Sequence, residues 1–237
     1  MDCRLYQERI KRSKGRAAVL LLLSLTASAA HSQTAADWRD SLAVLSRQIE
    51  AQGRRFDVDL HLRKAAVNLE LQQWNYAIEE YSSVLQHEPK NLAALFYRAY
   101  ANQRLRHHPL AAADYKELLG VVPRHFEARL SLAYVYQQMG KKTDATDELN
   151  RLVELFPDSA SAYVARGNFE REQGQADVAV YDFEQAVRLQ PEHREYRLSY
   201  AEALISAGRK KEARRELDEL VRRGVPRGML REWYAKL

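Results

Sequence analysis

The sequence predicts an all-α fold, a stack of antiparallel helix pairs, and three observations carry this. First, two rows of small residues recur at intervals of 34: Ala65, Ala99, Ala133, Gly167 and Ala201 at the eighth position of each copy, and Ala77, Ala111, Ala145, Ala179 and Ala213 at the twentieth. Second, large apolar residues follow at helical spacing, with Tyr81, Tyr115, Leu149, Phe183 and Leu217 in one row and Leu85, Leu119, Val153, Val187 and Val221 four residues on. Third, Gly140, Gly174 and Gly208 fall midway through copies three to five, and Pro89, Pro123, Pro157 and Pro191 fall near the copy ends, both expected where helices stop. Glycine inside a helix costs roughly 0.5–1 kcal/mol relative to alanine, so Gly167 marks a close approach of another backbone. Helices whose facing residues lack bulk can come within about 8 Å of each other. One such pair cannot bury its apolar face alone, so neighbours stack and share a continuous core.

Taken in order, residues 1–32 have the pattern of a secretory signal peptide. A basic stretch, Met1 to Arg16, runs into the apolar Ala17 to Ala30, and small residues at Ala27, Ala29, Ala30 and Ser32 offer cleavage sites between Ala30 and Gln33. The apolar run is shorter than the roughly 20 residues that span a bilayer. This leader implies export, to a bacterial periplasm or outside the cell. Cys3 lies before the apolar run, which excludes a lipoprotein box there. Without the leader the chain has no cysteine, so neither a disulfide framework nor a thiolate metal site is expected. The net charge of +5 also shrinks, because residues 33–237 hold 31 basic and 30 acidic residues. The general basicity that would suggest nucleic acid largely disappears.

Residues 33–57 form an N-terminal capping helix, with Trp38, Leu42, Leu45 and Ile49 on one face. Five uninterrupted copies then occupy 58–91, 92–125, 126–159, 160–193 and 194–227. Leu230, Trp233, Tyr234 and Leu237 mark a C-terminal capping helix at 228–237.

This pattern resembles the tetratricopeptide repeat family. Copy four matches through Tyr163, Gly167, Ala179, Phe183, Ala186 and Pro191, and copy three through Leu132, Ala133, Tyr136, Gly140, Ala145 and Pro157. The departures lie at the ends: Lys64 stands where the family prefers leucine, and the last proline is displaced to Pro226. The resemblance implies a right-handed superhelical solenoid whose first helices line a concave face, and a non-enzymatic scaffold or adaptor that binds a peptide or partner protein. The family's carboxylate-clamp subgroup has Lys at the fifth and Asn at the ninth position of its first repeat. Leu62 and Ala66 stand there, so that clamp is not expected.

Catalytic chemistry finds little support. No zinc-protease helix motif, phosphate-binding glycine loop or nucleophile elbow occurs. His107 and His108 are neighbours at a helix junction and point apart, and acidic pairs such as Glu79 and Glu80 are expected on a solvated face. No catalytic residue, cofactor, metal or small-molecule substrate is assigned. Candidate partner-binding residues come from the groove rows. The fifth positions are Leu62, Phe96, Leu130, Val164 and Leu198, and the ninth are Ala66, Tyr100, Tyr134, Asn168 and Glu202, with Arg104, Gln137 and Arg171 beside them. The fifth row either faces a ligand or packs between neighbouring first helices, while Tyr100 and Tyr134 are expected side by side and accessible as anchors. The candidate partner-binding residues are therefore Leu62, Phe96, Tyr100, Arg104, Leu130, Tyr134, Gln137, Asn168 and Arg171. Residues 194–237 carry twelve basic and seven acidic side chains. An alternative function is therefore an adaptor that meets a membrane or nucleic acid through this basic end; an enzyme with a dispersed site is a third.

Overall fold

The computed structural model describes residues 34–237, so the leader lies outside the described residues. Among these residues there are twelve α-helices, one short 3₁₀ helix and no strand. Helix α1 (Ala35–Ala51) precedes five pairs: α2 (Val58–Glu70) with α3 (Trp74–His87), α4 (Leu92–Arg104) with α5 (His108–Val121), α6 (Phe126–Gln138) with α7 (Lys142–Leu155), α8 (Ala160–Glu172) with α9 (Ala176–Leu189), and α10 (Arg194–Ser206) with α11 (Lys210–Arg222). The 3₁₀ turn Arg227–Leu230 and α12 (Arg231–Tyr234) follow. The chain divides into two compact units, one through Leu118 and one from Leu119.

The first helices begin 34 residues apart because a capping residue precedes each. Asp57, Asn91, His125 and His193 accept the backbone N–H of the residue three positions on through a side-chain oxygen or Nδ1; Ser159 makes no such bond. Burial lowers the pKa of His125, which favours the neutral ring that capping requires. The turns inside the pairs need a left-handed residue. Gly140, Gly174 and Gly208 supply it in copies three to five, but Gln72 (φ 56°) and Arg106 (φ 62°) adopt it in copies one and two without being glycine.

Both small rows are buried throughout, and the aromatic and aliphatic row behind them is at most 3% exposed. A Cβ built on Gly167 would meet Asp182 and Phe183 of α9, which locates the crossing of α8 and α9 at this glycine.

An acidic residue stands at the twenty-third position of every copy, and a base from the first helix meets it. His61 and Lys64 reach Glu80, Arg98 grips Asp114 with two bonds, Arg129 meets Glu148, Arg166 grips Asp182 with two bonds, and Arg197 meets Glu216. The expectation of a solvated acidic face is corrected at Glu80, whose side chain is 14% exposed and doubly engaged. The pattern alternates. Copies two and four use an arginine at the seventh position, which also reaches back to the preceding copy at Ser82 and Asn150. Copies three and five use one at the fourth position, which also donates to the carbonyls of Pro123 and Pro191. The carboxylates of Asp114 and Asp182 raise the pKa of their arginines through the hydrogen bonds. Glu170 is buried beside the last pair, where burial and then the charge of Asp182 push its carboxyl up.

At the N-terminal end, Thr34 and Asp37 form a reciprocal capping box on α1, which buries Leu45 and packs on α2. At the other end, Leu198, Val221, Trp233, Tyr234 and Leu237 pack around Ala201, Leu217, Leu220 and Leu230. The Tyr234 hydroxyl donates to Asp218 Oδ1 at 2.6 Å, sixteen residues back. That is the separation of Arg98 from Ser82 and of Arg166 from Asn150, so α12 stands where a sixth first helix would.

Candidate partner-binding surface

The fifth and ninth rows fare differently. Leu62, Leu130, Val164 and Leu198 are half-buried, whereas Phe96 is buried and packs edge-on against Tyr97 and Tyr115. Phe96 is therefore corrected from a groove residue to a core residue, its ring taken up by the aromatic contacts with Tyr97 and Tyr115. In the ninth row, Ala66, Tyr100, Asn168 and Glu202 are half-buried and Tyr134 is 42% exposed.

In the first unit, Tyr100 on α4 meets the Trp74 ring edge-to-face at 6.0 Å, and the Arg104 guanidinium lies 5.0 Å over the same indole. Tyr100 and Arg104 are one helical turn apart, so α4 presents both to the start of α3. Arg104 is exposed and has neither an ion pair nor a side-chain hydrogen bond among the described residues. Sequence reasoning missed Trp74. Its signal was a lone tryptophan at the first position of a second helix, directly after the left-handed turn at Gln72.

In the second unit the nominated polar residues are engaged by hydrogen bonds within the chain. Gln137 donates to Glu172, and Arg171 donates to Asn168 at 3.1 Å and to Glu202 at 2.5 Å. Glu202 also accepts the Trp233 indole N–H at 2.8 Å. Asn168, Arg171, Glu202 and Trp233 thus form a closed polar chain that ends on α12.

Two models described as tetratricopeptide repeat match the sequence, one over residues 170–227 and the other over 103–160 and 130–183, together more than half of the chain. The chain belongs to the tetratricopeptide repeat family. No curated protein matches it. Among solved structures it is similar to a tetratricopeptide repeat protein from Parabacteroides merdae (19% identity, TM-score 0.67, covering 81% of this chain and 75% of that one). It is also similar to MamA from Desulfovibrio magneticus (19%, 0.61, 70% and 93%) and to YrrB, described as a tetratricopeptide repeat protein with an unusual peptide-binding site (16%, 0.58, 76% and 92%). At these identities the likeness concerns the fold. Tetratricopeptide repeats are in general non-catalytic interaction modules, and the family assignment makes this chain a protein-binding scaffold in that coarse sense.

Among the described residues no group of three or more His, Cys, Asp or Glu could hold a metal ion, and no helix is long and apolar enough to cross a membrane. What this tetratricopeptide chain offers is contact: an aromatic pair with a cation on the first unit, and an exposed tyrosine beside an internally paired polar row on the second.

Proposed function

We propose that the protein is an exported adaptor that holds an extended peptide of a partner protein, with Trp74, Tyr100 and Arg104 as the principal anchor. The observation that carries this is the contrast between two arginines. Arg171 is ion-paired with Glu202 and bonded to Asn168, whereas Arg104 lies over an indole face with no carboxylate partner among the described residues and keeps its N–H donors for a ligand. Rigid aromatic rings beside an arginine are the side chains that dominate peptide and protein interfaces. The peptide so favoured carries a carboxylate next to an apolar residue, the first for Arg104 and the second for the faces of Trp74 and Tyr100. The peptide-binding site of YrrB supports the use of this fold for a peptide ligand.

Peptides selected from a random library against the full chain test this. Winning sequences should be enriched in acidic residues, and Tyr100→Ala should weaken them about thirtyfold with the melting temperature nearly unchanged, since truncating an anchor costs about 2 kcal/mol. Arg104→Ala should weaken acidic peptides selectively. Peptides that bind equally well to both variants would exclude this anchor. Export rests on the leader pattern of residues 1–32. Intact-mass measurement from the native host should give an N-terminus between Ala30 and Gln33; a full-length chain would contradict it.

A further inference from the structure

A second surface lies on α11, in the second unit. The acidic residues of this helix are all engaged: Glu212 by Arg209, Glu216 by Arg197, Asp218 by Tyr234, and Glu219 by Arg222 and Arg223. Lys210, Lys211, Arg214 and Arg215 are exposed and have no ion pair among the described residues. Lys210 and Arg214 are one turn apart, as are Lys211 and Arg215, so the four form one contiguous patch. Lys211 and Arg215 stand opposite Ala213, Leu217 and Leu220, which α11 buries, and Lys210 and Arg214 stand at the edge of that buried face. Arg227 adds to it, since its guanidinium lies 4.6 Å over the Tyr234 ring and both it and Arg214 act on the Tyr234 hydroxyl. Local stability does not explain these charges. Cations in the first turn of a helix oppose its dipole, and α11 sets against Lys210 and Lys211 only Glu212, already bonded to Arg209, and no side-chain cap.

We infer that this basic face docks on an anionic bilayer surface. The patch lies on the outside of one helix, not in a groove, which suits a diffuse plane of phosphates better than a peptide's discrete carboxylates. Among the described residues the aromatic rings near it, Trp233 and Tyr234, are half-buried, and Tyr234 is covered by Arg227, so neither stands free to stack a base as single-stranded nucleic acid would need. The adjoining turn instead exposes Met229, 70% accessible, between Arg227 and Arg231, an apolar group of the kind that enters the headgroup region.

The test uses the full chain carrying Cys3→Ser and Arg222→Cys, with a polarity-sensitive fluorophore on the new thiol. Position 222 lies on the same side of α11 as Lys211 and Arg215. Vesicles of equal parts phosphatidylglycerol and phosphatidylcholine should shift the emission to the blue, pure phosphatidylcholine should not, and added salt should reverse the shift. Lys210→Glu with Lys211→Glu should weaken the response about tenfold or more. The melting temperature should hold or rise, because acidic residues suit a helix N-terminus. The leader could carry the chain to vesicles by itself, so protein that sediments with vesicles without a shift overturns the inference. A shift that survives the charge reversal does so too, as does a response to duplex DNA or polyglutamate that vesicles fail to produce. Tyr100→Ala should leave the vesicle response intact, so failure of the peptide anchor and failure of this face are distinguishable.

Discussion

A Cβ at Gly167 would stand 3.1 Å from the Cβ of Asp182 and 3.2 and 3.3 Å from two ring carbons of Phe183. Asp182 is held by Arg166, and Asp182 and Phe183 are both fully buried, so neither has a free end that can swing away. The other four copies nevertheless carry alanine here, which bounds the cost of one methyl group to a shift of a few tenths of an ångström. Gly167→Ala should change stability by less than about 1 kcal/mol, the squeeze set against the gain in helix propensity. Gly167→Leu should cost about 3 kcal/mol or more by overpacking. Urea unfolding measures both, and a leucine variant of wild-type stability would refute the crossing. This residue was legible because a glycine among helix formers is unfavourable and demands a cause. The acidic row at the twenty-third position was equally visible, yet its meaning was not. Surface helices carry many acids, and only the fold shows that His61, Arg98, Arg129, Arg166 and Arg197 meet this particular row.

Among the elements, the helix spans follow from the repeat, since capping residues, small rows and prolines each return at the same interval. The turns inside the pairs show where that legibility stops. Glycine marks three of them, but copies one and two place Gln72 and Arg106 in the left-handed region, where a side chain costs about 1–2 kcal/mol. Nothing in those two residue types announces a turn. Gln72→Gly and Arg106→Gly should each stabilise the protein by about 0.5–1 kcal/mol, the relief of strain less the entropy of a freer unfolded chain. Chemical denaturation checks this, and destabilisation by either change would mean that its side chain makes a compensating contact. These two turns flank the Trp74, Tyr100 and Arg104 cluster, so a non-glycine turn coincides with the surface assigned to the ligand. Strain held beside a binding site is a recognised arrangement. It supplies a second readout: if the strain positions Trp74, Gln72→Gly should weaken selected peptides while raising the melting temperature.

At the scale of the whole molecule, each copy is tied to the one before it by a first-helix side chain: Arg98 to Ser82, Arg129 to Pro123, Arg166 to Asn150, Arg197 to Pro191, and Tyr234 to Asp218 at the end. Stability in such an array is a sum of copies and nearest-neighbour contacts, so a loss at one end propagates only as far as those contacts weaken. Trp233 is the place to test this. Its indole N–H fixes Glu202, its ring packs with Leu198, Val221 and Leu237 around the last core, and Glu202 in turn holds Arg171. Trp233→Ala should therefore expose the amides of α10 and α11 to hydrogen exchange first, by about 2 kcal/mol or more of lost protection for the missing ring and bond. In α8 and α9, Arg166 still grips Asp182 and Phe183 stays packed, so protection there should fall much less. Arg171 reports the boundary, since it loses an oriented partner in Glu202 but keeps Asn168. A uniform fall across α6 to α11 would mean that the second unit unfolds as one block, and the neighbour-by-neighbour account would fail.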